Sequence, residues 1–318
     1  MTQAISRKSS LLALGAALGG AMTAPARADA IALNVGILPI TTNVPYYAAE
    51  KFGYFADENL ACTAQVIRGG AAAIPAMLTG SLDVVFANST SVAQAIAKGI
   101  DLRLILTGTI NGNKPPDAAA LVKRKDDAIR SGKDLEGKIV AVNTLRDVIW
   151  MMVTAWIAQT GGDLTKVQIV ELSQPAMVEA IKEKRVDTAL IIDPFLTVAL
   201  TDPTLEVLSW PASQCFAGGP LAFFVVTGEM TQKRPNDVRA FVRAYKRGAT
   251  WATANLGKQP YYDLVAEFSG LKVDLLRRIL PVQPQAAVVP SSLPRLTALM
   301  RQTGLLDADL DLRSKIFT

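Results

Sequence analysis

Alternating apolar and polar positions mark the first element of the chain. Leu33, Val35 and Ile37 are separated by smaller or polar residues, the period-two pattern of a strand with a buried face. Pro39 ends it, because proline has no N–H to give to a sheet ladder. Thr41, Thr42 and Asn43 then make a short polar loop, and Pro45 stands where proline best opens a helix. The pattern repeats with a strand from Cys62 to Arg68, a helix opened by Gly69-Gly70, and an apolar strand Val84–Ala87. That strand runs into Asn88, Ser89, Thr90 and Ser91, which open another helix. Strands alternating with helices predict an α/β fold with mostly parallel sheets, whose ligands lie at the carboxyl edge of the strands.

Helix Val92–Lys98 and strand Leu102–Thr107 follow, and the breakers in 111–116 (NGNKPP) interrupt the run. A second set begins with strand Ala118–Val122. Strand Ile139–Val142 ends in Asn143-Thr144-Leu145-Arg146-Asp147 and leads into an apolar helix from Val148 to about Thr160, closed by Gly161-Gly162. Strand Val167–Glu171, helix Pro175–Lys184 and strand Thr188–Ile192 reach Asp193-Pro194. The two sets share a layout: Met77 precedes Asp83 as Ile181 precedes Asp187, and Asn88 and Asp193 fall at the ends of the strands that follow. After Gly218-Gly219-Pro220, strand Leu221–Thr227 reads as a return crossing. Helices Asp237–Asn255, Tyr261–Ser269, Val273–Leu280 and a piece after Ser291 are expected to fold back on the first lobe. The expected division is 1–30 as a signal peptide, 31–110 with 228–318 as lobe I, and 111–227 as lobe II. The hinge is expected near 111–120 and 218–230.

Composition narrows the function. The 318 residues are 50% hydrophobic, yet no uninterrupted apolar run reaches the roughly 18–20 residues of a membrane span. There is no histidine, which excludes histidine triads, histidine general bases and histidine-bearing metal sites. Two cysteines, Cys62 and Cys215, are too few for a thiolate cage. A covalent tie between them would resist hinge motion, so two free thiols are expected. Arg7-Lys8, the apolar stretch Leu11–Ala24 and the small-x-small sites at Ala26-Arg27-Ala28 or Ala28-Asp29-Ala30 compose a cleavable export signal. Ser6-Arg7-Lys8 carries lysine where a twin-arginine signal has its second arginine, so Sec and Tat export both stay open. Cleavage after Ala30 removes Arg7, Lys8, Arg27 and Asp29 and lowers the charge from +5 to about +3. The remaining basic residues are interleaved with acids, a solvated surface with no nucleic-acid face.

Several segments carry a family likeness: Pro45-Tyr46-Tyr47-Ala48-Ala49, Phe52-Gly53-Tyr54-Phe55, Gly69-Gly70 and the run from Leu78 to Val84. Leu135 to Val142, Arg185-Val186-Asp187 and Asp193-Pro194-Phe195 continue it. In these residues the chain resembles the periplasmic substrate-binding proteins of ABC importers, in the nitrate/sulfonate/taurine and NMT1/THI5-like group. The resemblance implies a two-lobed periplasmic-binding-protein fold of type II, two mostly parallel α/β lobes joined by a two-crossing hinge. It also implies a monomer that captures a small molecule and delivers it to a membrane permease. The ATPase must be a separate chain, since no G-x-x-x-x-G-K-[ST] loop occurs here. No cofactor is expected.

Candidate binding residues gather at the strand ends. A helix cap needs only one of Thr41, Thr42 and Asn43, and three in succession favour binding. Tyr46 reads as structural, with stacking on a ligand as the alternative. Gly69 and Gly70 either ease a tight turn or bare the backbone so that an oxyanion reaches helix N–H groups. Asn88, Ser89 and Thr90 on one side, and Asn143 and Thr144 on the other, are the expected polar walls. Arg146, expected in the first turn of its helix, is unfavourable to the dipole there, which suggests a ligand or hinge role. Asp193 either holds a loop amide or, by the resemblance, meets a donor on the ligand. Trp150, Met151, Met152 and Trp156 read as core. Convergent helix ends predict a small organic anion, sulfonate-like or carboxylate-like, with a neutral N-heterocycle such as a thiamine pyrimidine precursor as the alternative. An enzyme on the same fold is the rival class, but the pyrimidine synthase resembling this architecture relies on histidine and a cysteine-rich motif, both missing here. A solute-sensing module for a receptor would use the same pocket.

The export signal makes a direct prediction: N-terminal sequencing of the protein from its native host should find a chain beginning near Asp29 or Ile31. Recovery of the chain from Met1 in the cytoplasm as the main form would contradict export.

Overall fold

The computed structural model describes residues 30–67 and 70–318. The expected signal peptide up to position 29, the strand end Arg68 and the candidate Gly69 lie outside the described residues. The strands are β1 (Ile31–Ile37), β2 (Leu60–Val66), β3 (Val84–Asn88), β4 (Leu102–Ile110), β5 (Ala119–Arg124) and β6 (Ile139–Val142). They continue as β7 (Gln168–Glu171), β8 (Thr188–Ile192), β9 (Leu205–Ser209) and β10 (Pro220–Thr227). Hydrogen bonding orders them as two five-stranded sheets, β2-β1-β3-β10-β4 and β7-β6-β8-β5-β9. In the first, β1 is parallel to β2 and β3, while β10 runs antiparallel between β3 and β4. In the second, β6 is parallel to β7 and β8, and β5 runs antiparallel between β8 and β9. One plan is thus used twice. The strand read from sequence as part of the second lobe, 220–227, belongs to the first sheet, and the return crossing lies ahead of it at 210–219. Strand β9 escaped the sequence reading because LEVLS, five residues after a loop, is too short to show a period.

The shared layout seen in the sequence has a physical basis. Asp83 accepts a hydrogen bond from the Asn34 amide at 2.8 Å, and Asp187 accepts one from the Ile139 amide at 2.8 Å. The backbone N–H of each aspartate returns a bond to the same residue's carbonyl, again at 2.8 Å in both. Each aspartate therefore clasps one strand to the start of its parallel neighbour, β1 to β3 in the first sheet and β6 to β8 in the second. In the turn before it, Lys184 adopts φ 61° where Gly80 adopts φ 79°, a left-handed step that usually selects glycine.

Packing explains the rest. The strands β3 and β8 are buried at four of five positions, as expected for parallel strands covered on both faces. The inserted strand β5 is pinned by charge. Lys123, 1% exposed, donates to Glu206 at 2.6 Å across the β5–β9 pair, and Arg124 donates to the carbonyls of Ile181 and Val186. The long helix Pro235–Asn255 lies against the first sheet, as the sequence suggested. A Cβ on Gly248 would stand 1.9 Å from the Pro45 carbonyl oxygen, so only glycine admits this close crossing of the helix Val44–Lys51. The helix Leu293–Gln302 differs from expectation: it touches both Ser89–Ala97 and Val148–Gln159, strapping the two halves together. Cys62 and Cys215 are both free, as expected, and half-buried.

The paired clasps predict paired penalties. Asp187→Ala should lower the unfolding free energy by about 1.5–3 kcal/mol, the usual worth of a hydrogen bond to a charged group, and Asp83→Ala by a similar amount. Urea denaturation measures both; a loss under about 0.5 kcal/mol, ordinary for a surface change, would show that the clasps carry no load.

Candidate functional site

Every strand that ends between the sheets delivers polar groups to one place. A cleft of about 1430 Å³ opens along the carboxyl edges of both sheets. Thr41, Thr42 and Asn88 line it from the first sheet, and Asn143, Thr144, Arg146 and Asp193 from the second. Seven of the sequence candidates therefore meet across one space. Gly70 begins the helix Gly70–Leu78.

Four candidates are turned away from the cleft. Asn43 is fully buried, its Nδ2 donating to the Leu38 carbonyl at 2.9 Å, so it fastens the loop behind Thr41 and Thr42. Tyr46 is also fully buried, its ring 5.2 Å from that of Phe55 and 6.4 Å from that of Phe241. It is a core aromatic, and burial drives its hydroxyl far above the ordinary range. Ser89 and Thr90 are buried in the first turn of Ser89–Ala97. Thr90 donates to Asn88 Oδ1 at 2.8 Å, and so does the Ser91 amide. The Asn88 oxygen is thereby spent on capping the helix, while its Nδ2 has no protein partner among the described residues and remains available to the cleft.

The second wall differs from the sequence expectation at the helix end. The helix Val148–Gln159 is capped by Asp147, which accepts from the amides of Ile149 at 2.8 Å and Trp150 at 3.0 Å. A carboxylate already occupies the positive end that was expected to face a ligand. Arg146 precedes the helix, with φ 58°, and donates to the Gly304 carbonyl at 3.2 Å. Its guanidinium lies 6.0 Å from the Trp150 ring centre. It ties the second sheet's loop to the C-terminal strap. Trp156, Met151 and Met152 are buried, as expected of core residues. Asn143 Nδ2 donates to Thr144 Oγ1 at 3.3 Å, and Asn143 Oδ1 is buried without a partner among the described residues.

Sequence reasoning missed a whole wall and several polar groups. Residues 279–285 and 304–310 close the cleft, and Thr109, Asn111, Asp117 and Asp147 line it. Asp147 was findable, since an aspartate directly before an apolar helix is a capping signal. The C-terminal wall was not, because its placement depends on tertiary packing.

The electrostatics follow from these residues. Five aspartates line the cleft, Asp117, Asp147, Asp193, Asp307 and Asp309, against Lys98 and Arg146. Burial pushes the Asp147 carboxyl up to about 6, against the pull of its two amide donors. Burial likewise holds Asp117 and Asp193 above the usual carboxylate range. Asp193 Oδ1 accepts from both the amide and the hydroxyl of Thr197, at 2.9 and 2.6 Å. The Leu280 amide also lowers the Asp193 pKa, against the larger effect of burial.

Asp147 gives a signed prediction. Its folded pKa of about 6 lies above its ordinary 3.8, so the folded state holds the proton more tightly. The stability it contributes is complete below pH ~3.8 and is lost as pH rises through ~6. Asp147→Asn keeps the capping oxygen and removes the buried charge. The variant should be more stable near pH 7 by on the order of 1–3 kcal/mol, outweighing the ~0.3–1 kcal/mol of lost charge–dipole attraction. Thermal melts of both proteins from pH ~4 to ~7 should diverge as pH rises; a difference independent of pH would contradict this.

Comparison with known proteins matches this geometry. The NMT1/THI5-like family model matches residues 40–256. No curated protein matches the sequence. The aliphatic sulphonate binding protein SsuA of Escherichia coli superposes with TM-score 0.71 at 17% identity, covering 90% of this chain and 97% of its own. The alkanesulfonate-binding SsuA of Xanthomonas axonopodis pv. citri gives 0.71 at 16%, covering 92% and 99%. The periplasmic nitrate-binding protein NrtA of Synechocystis PCC 6803 gives 0.69 at 13%, covering 90% and 85%. With a family match across most of its length and two sheets of one plan around a shared cleft, the chain belongs to the NMT1/THI5-like family and has the periplasmic-binding-protein fold of ABC import systems.

Proposed function

We propose that this chain is the extracytoplasmic solute-binding component of an ABC-type importer. It is exported, acts in the periplasm as a monomer, encloses a small molecule between its lobes and delivers it to a permease driven by a separate ATPase. The observation that carries this reading is a cleft whose facing walls belong to different sheets, linked by two crossings and a C-terminal strap. Rotation about those links brings Asn88 and Asp193 toward each other around a ligand. The fold neighbours that bind sulphonates and nitrate support the class of function and leave the solute of this chain to its own residues.

An enzyme on this fold is the weaker alternative. The chain has no histidine. Burial pushes the Cys62 thiol up to about 12 and the Cys215 thiol up to about 11, and a thiol held neutral is a poor nucleophile. Among the described residues no cluster of three or more histidine, cysteine, aspartate or glutamate residues fits a metal.

The solute is a molecule carrying N–H or O–H donors; this takes in the neutral N-heterocycle that was the sequence's alternative and extends it to cations. The organic anion rested on helix ends, each worth ~0.3–1 kcal/mol. One of those ends is occupied by Asp147. An anion ~6 Å from one ionised carboxylate, at an effective dielectric of ~20, is repelled by about 3 kcal/mol. A single acid therefore outweighs several helix ends, and beside Asp309, which is paired with Arg301, the cleft has four more.

Asp193→Asn separates the two classes. It should weaken a donor-bearing ligand about tenfold or more, since a hydrogen bond to a charged group is worth ~1.5–3 kcal/mol. Anion affinity should stay equal or improve. Small-angle scattering with bound ligand should show a smaller radius of gyration; if no solute of either class produces one, the importer reading fails.

A further inference from the structure

The outgoing crossing carries three oxygens that the protein itself does not use. Thr109 and Asn111 are 3% and 4% exposed, and both line the cleft. Thr109 Oγ1, Asn111 Oδ1 and Asp117 Oδ2 are buried and have no hydrogen-bond partner among the described residues. Burying an acceptor without a donor is costly, so such atoms are rare in folded proteins. Three within nine residues of one segment call for a common cause.

The orientation of each oxygen is fixed by its neighbours. Asn111 Nδ2 donates to the Phe216 carbonyl at 3.2 Å and approaches Met152 Sδ at 3.4 Å. A carbonyl can only accept, so the amide cannot be flipped, and Oδ1 is the atom left over. The Asn111 amide also donates to the Gly219 carbonyl at 2.9 Å, which holds its backbone against the return crossing. Thr109 stands two residues before it, near the end of β4 where pairing with β10 is irregular, and both line the cleft. Asp117 Oδ1 accepts from the Ala118 amide at 2.8 Å, leaving Oδ2. A Cβ on Gly112 would lie 3.7 Å from that Oδ2, so the carboxylate folds back beside the residue that follows Asn111. Asn111 Oδ1 and ionised Asp117 Oδ2 only accept, and the Thr109 hydroxyl can do either. The set asks for a group with several N–H donors and repels a sulfonate or nitrate.

We infer that Thr109, Asn111 and Asp117 form a subsite on the cleft floor for a nitrogen donor group of the ligand, an amine, amidine or ring amino group. The inference rests on the solute-binding reading and gives its ligand a chemical class and an orientation. The nitrogen end lies against the crossing, where it touches the segment about which the lobes turn. Its contacts with Asn111 reach the return crossing through Phe216 and Gly219, so occupancy of the floor and the set of the hinge are coupled. The remainder of the ligand extends toward the lips, where Ile40 and Leu145 are 41% and 43% exposed and offer apolar cover.

Calorimetric titration of the mature protein with 4-aminopyrimidine, benzylamine, ethanesulfonate and nitrate tests this. An amine probe should bind, ethanesulfonate and nitrate should not, and Asp117→Asn should weaken the amine about tenfold or more. Thr109→Val, which removes one oxygen at constant shape, should weaken it several-fold and guards against a folding defect in the first variant. Asp117→Asn is expected to melt at the wild-type temperature or above, since a buried carboxyl is removed. Amine affinity unchanged in both variants, or no amine binding at all, overturns the subsite. An anion that binds and contracts the protein overturns the subsite and leaves the importer reading intact. Failure of every probe to bind or contract it counts against both.

Discussion

Each sheet is completed by a strand that the chain brings from across a crossing. Without β10, the strands β3 and β4 would face each other across a gap of unpaired N–H and C=O groups, and buried backbone groups do not go unpaired. The same holds for β5 between β8 and β9. Because the inserted strands run antiparallel to their neighbours, the chain enters each at the carboxyl edge of the sheet. Both crossings are thereby forced to the edge where the parallel strands end. The cleft, its polar loops and both crossings share one location for that single topological reason.

The edge position decides the chemistry as well. Helices that start there expose N–H groups, and the chain has satisfied much of that potential internally. Asn88 caps one helix, Asp147 another, and Asp193 holds Thr197. What is left facing the space is mainly oxygen: the spare atoms of Asn111, Asp117 and Asn143. The positive character implied by helix ends is thus overwritten by the side chains that cap them. Fold neighbours share the frame, and in this chain the local caps set which groups face the cleft.

The sequence showed the frame well because its elements are strongly periodic or sharply punctuated. Val148 was identified as the start of the apolar helix, and the Asp83–Asp187 correspondence proved to be a pair of equivalent clasps. Errors came where tertiary contacts decide. The assignment of 220–227 to the wrong lobe was inevitable from local pattern, since which sheet a buried strand joins depends on pairing and not on its residues. Tyr46 proved to be the core residue that was its first reading, and the stacking alternative fell because the close helix crossing at Gly248 buries it. Asn43, Ser89 and Thr90 share the composition of ligand-binding loops, and backbone geometry turned them inward. The C-terminal strap over the cleft left no signal, because its polar residues have the composition of ordinary surface.

The claim that most depends on this architecture is that one ligand spans both sheets at their carboxyl edges, with its nitrogen end on the outgoing crossing. A crystal structure of the protein with its bound solute tests it most directly. Density between Asn88 and Asp193, with a nitrogen within hydrogen-bond distance of Asn111 Oδ1 and Asp117 Oδ2, is the expected result. A ligand held by one sheet alone, or an oxyanion seated against the crossing, would contradict it.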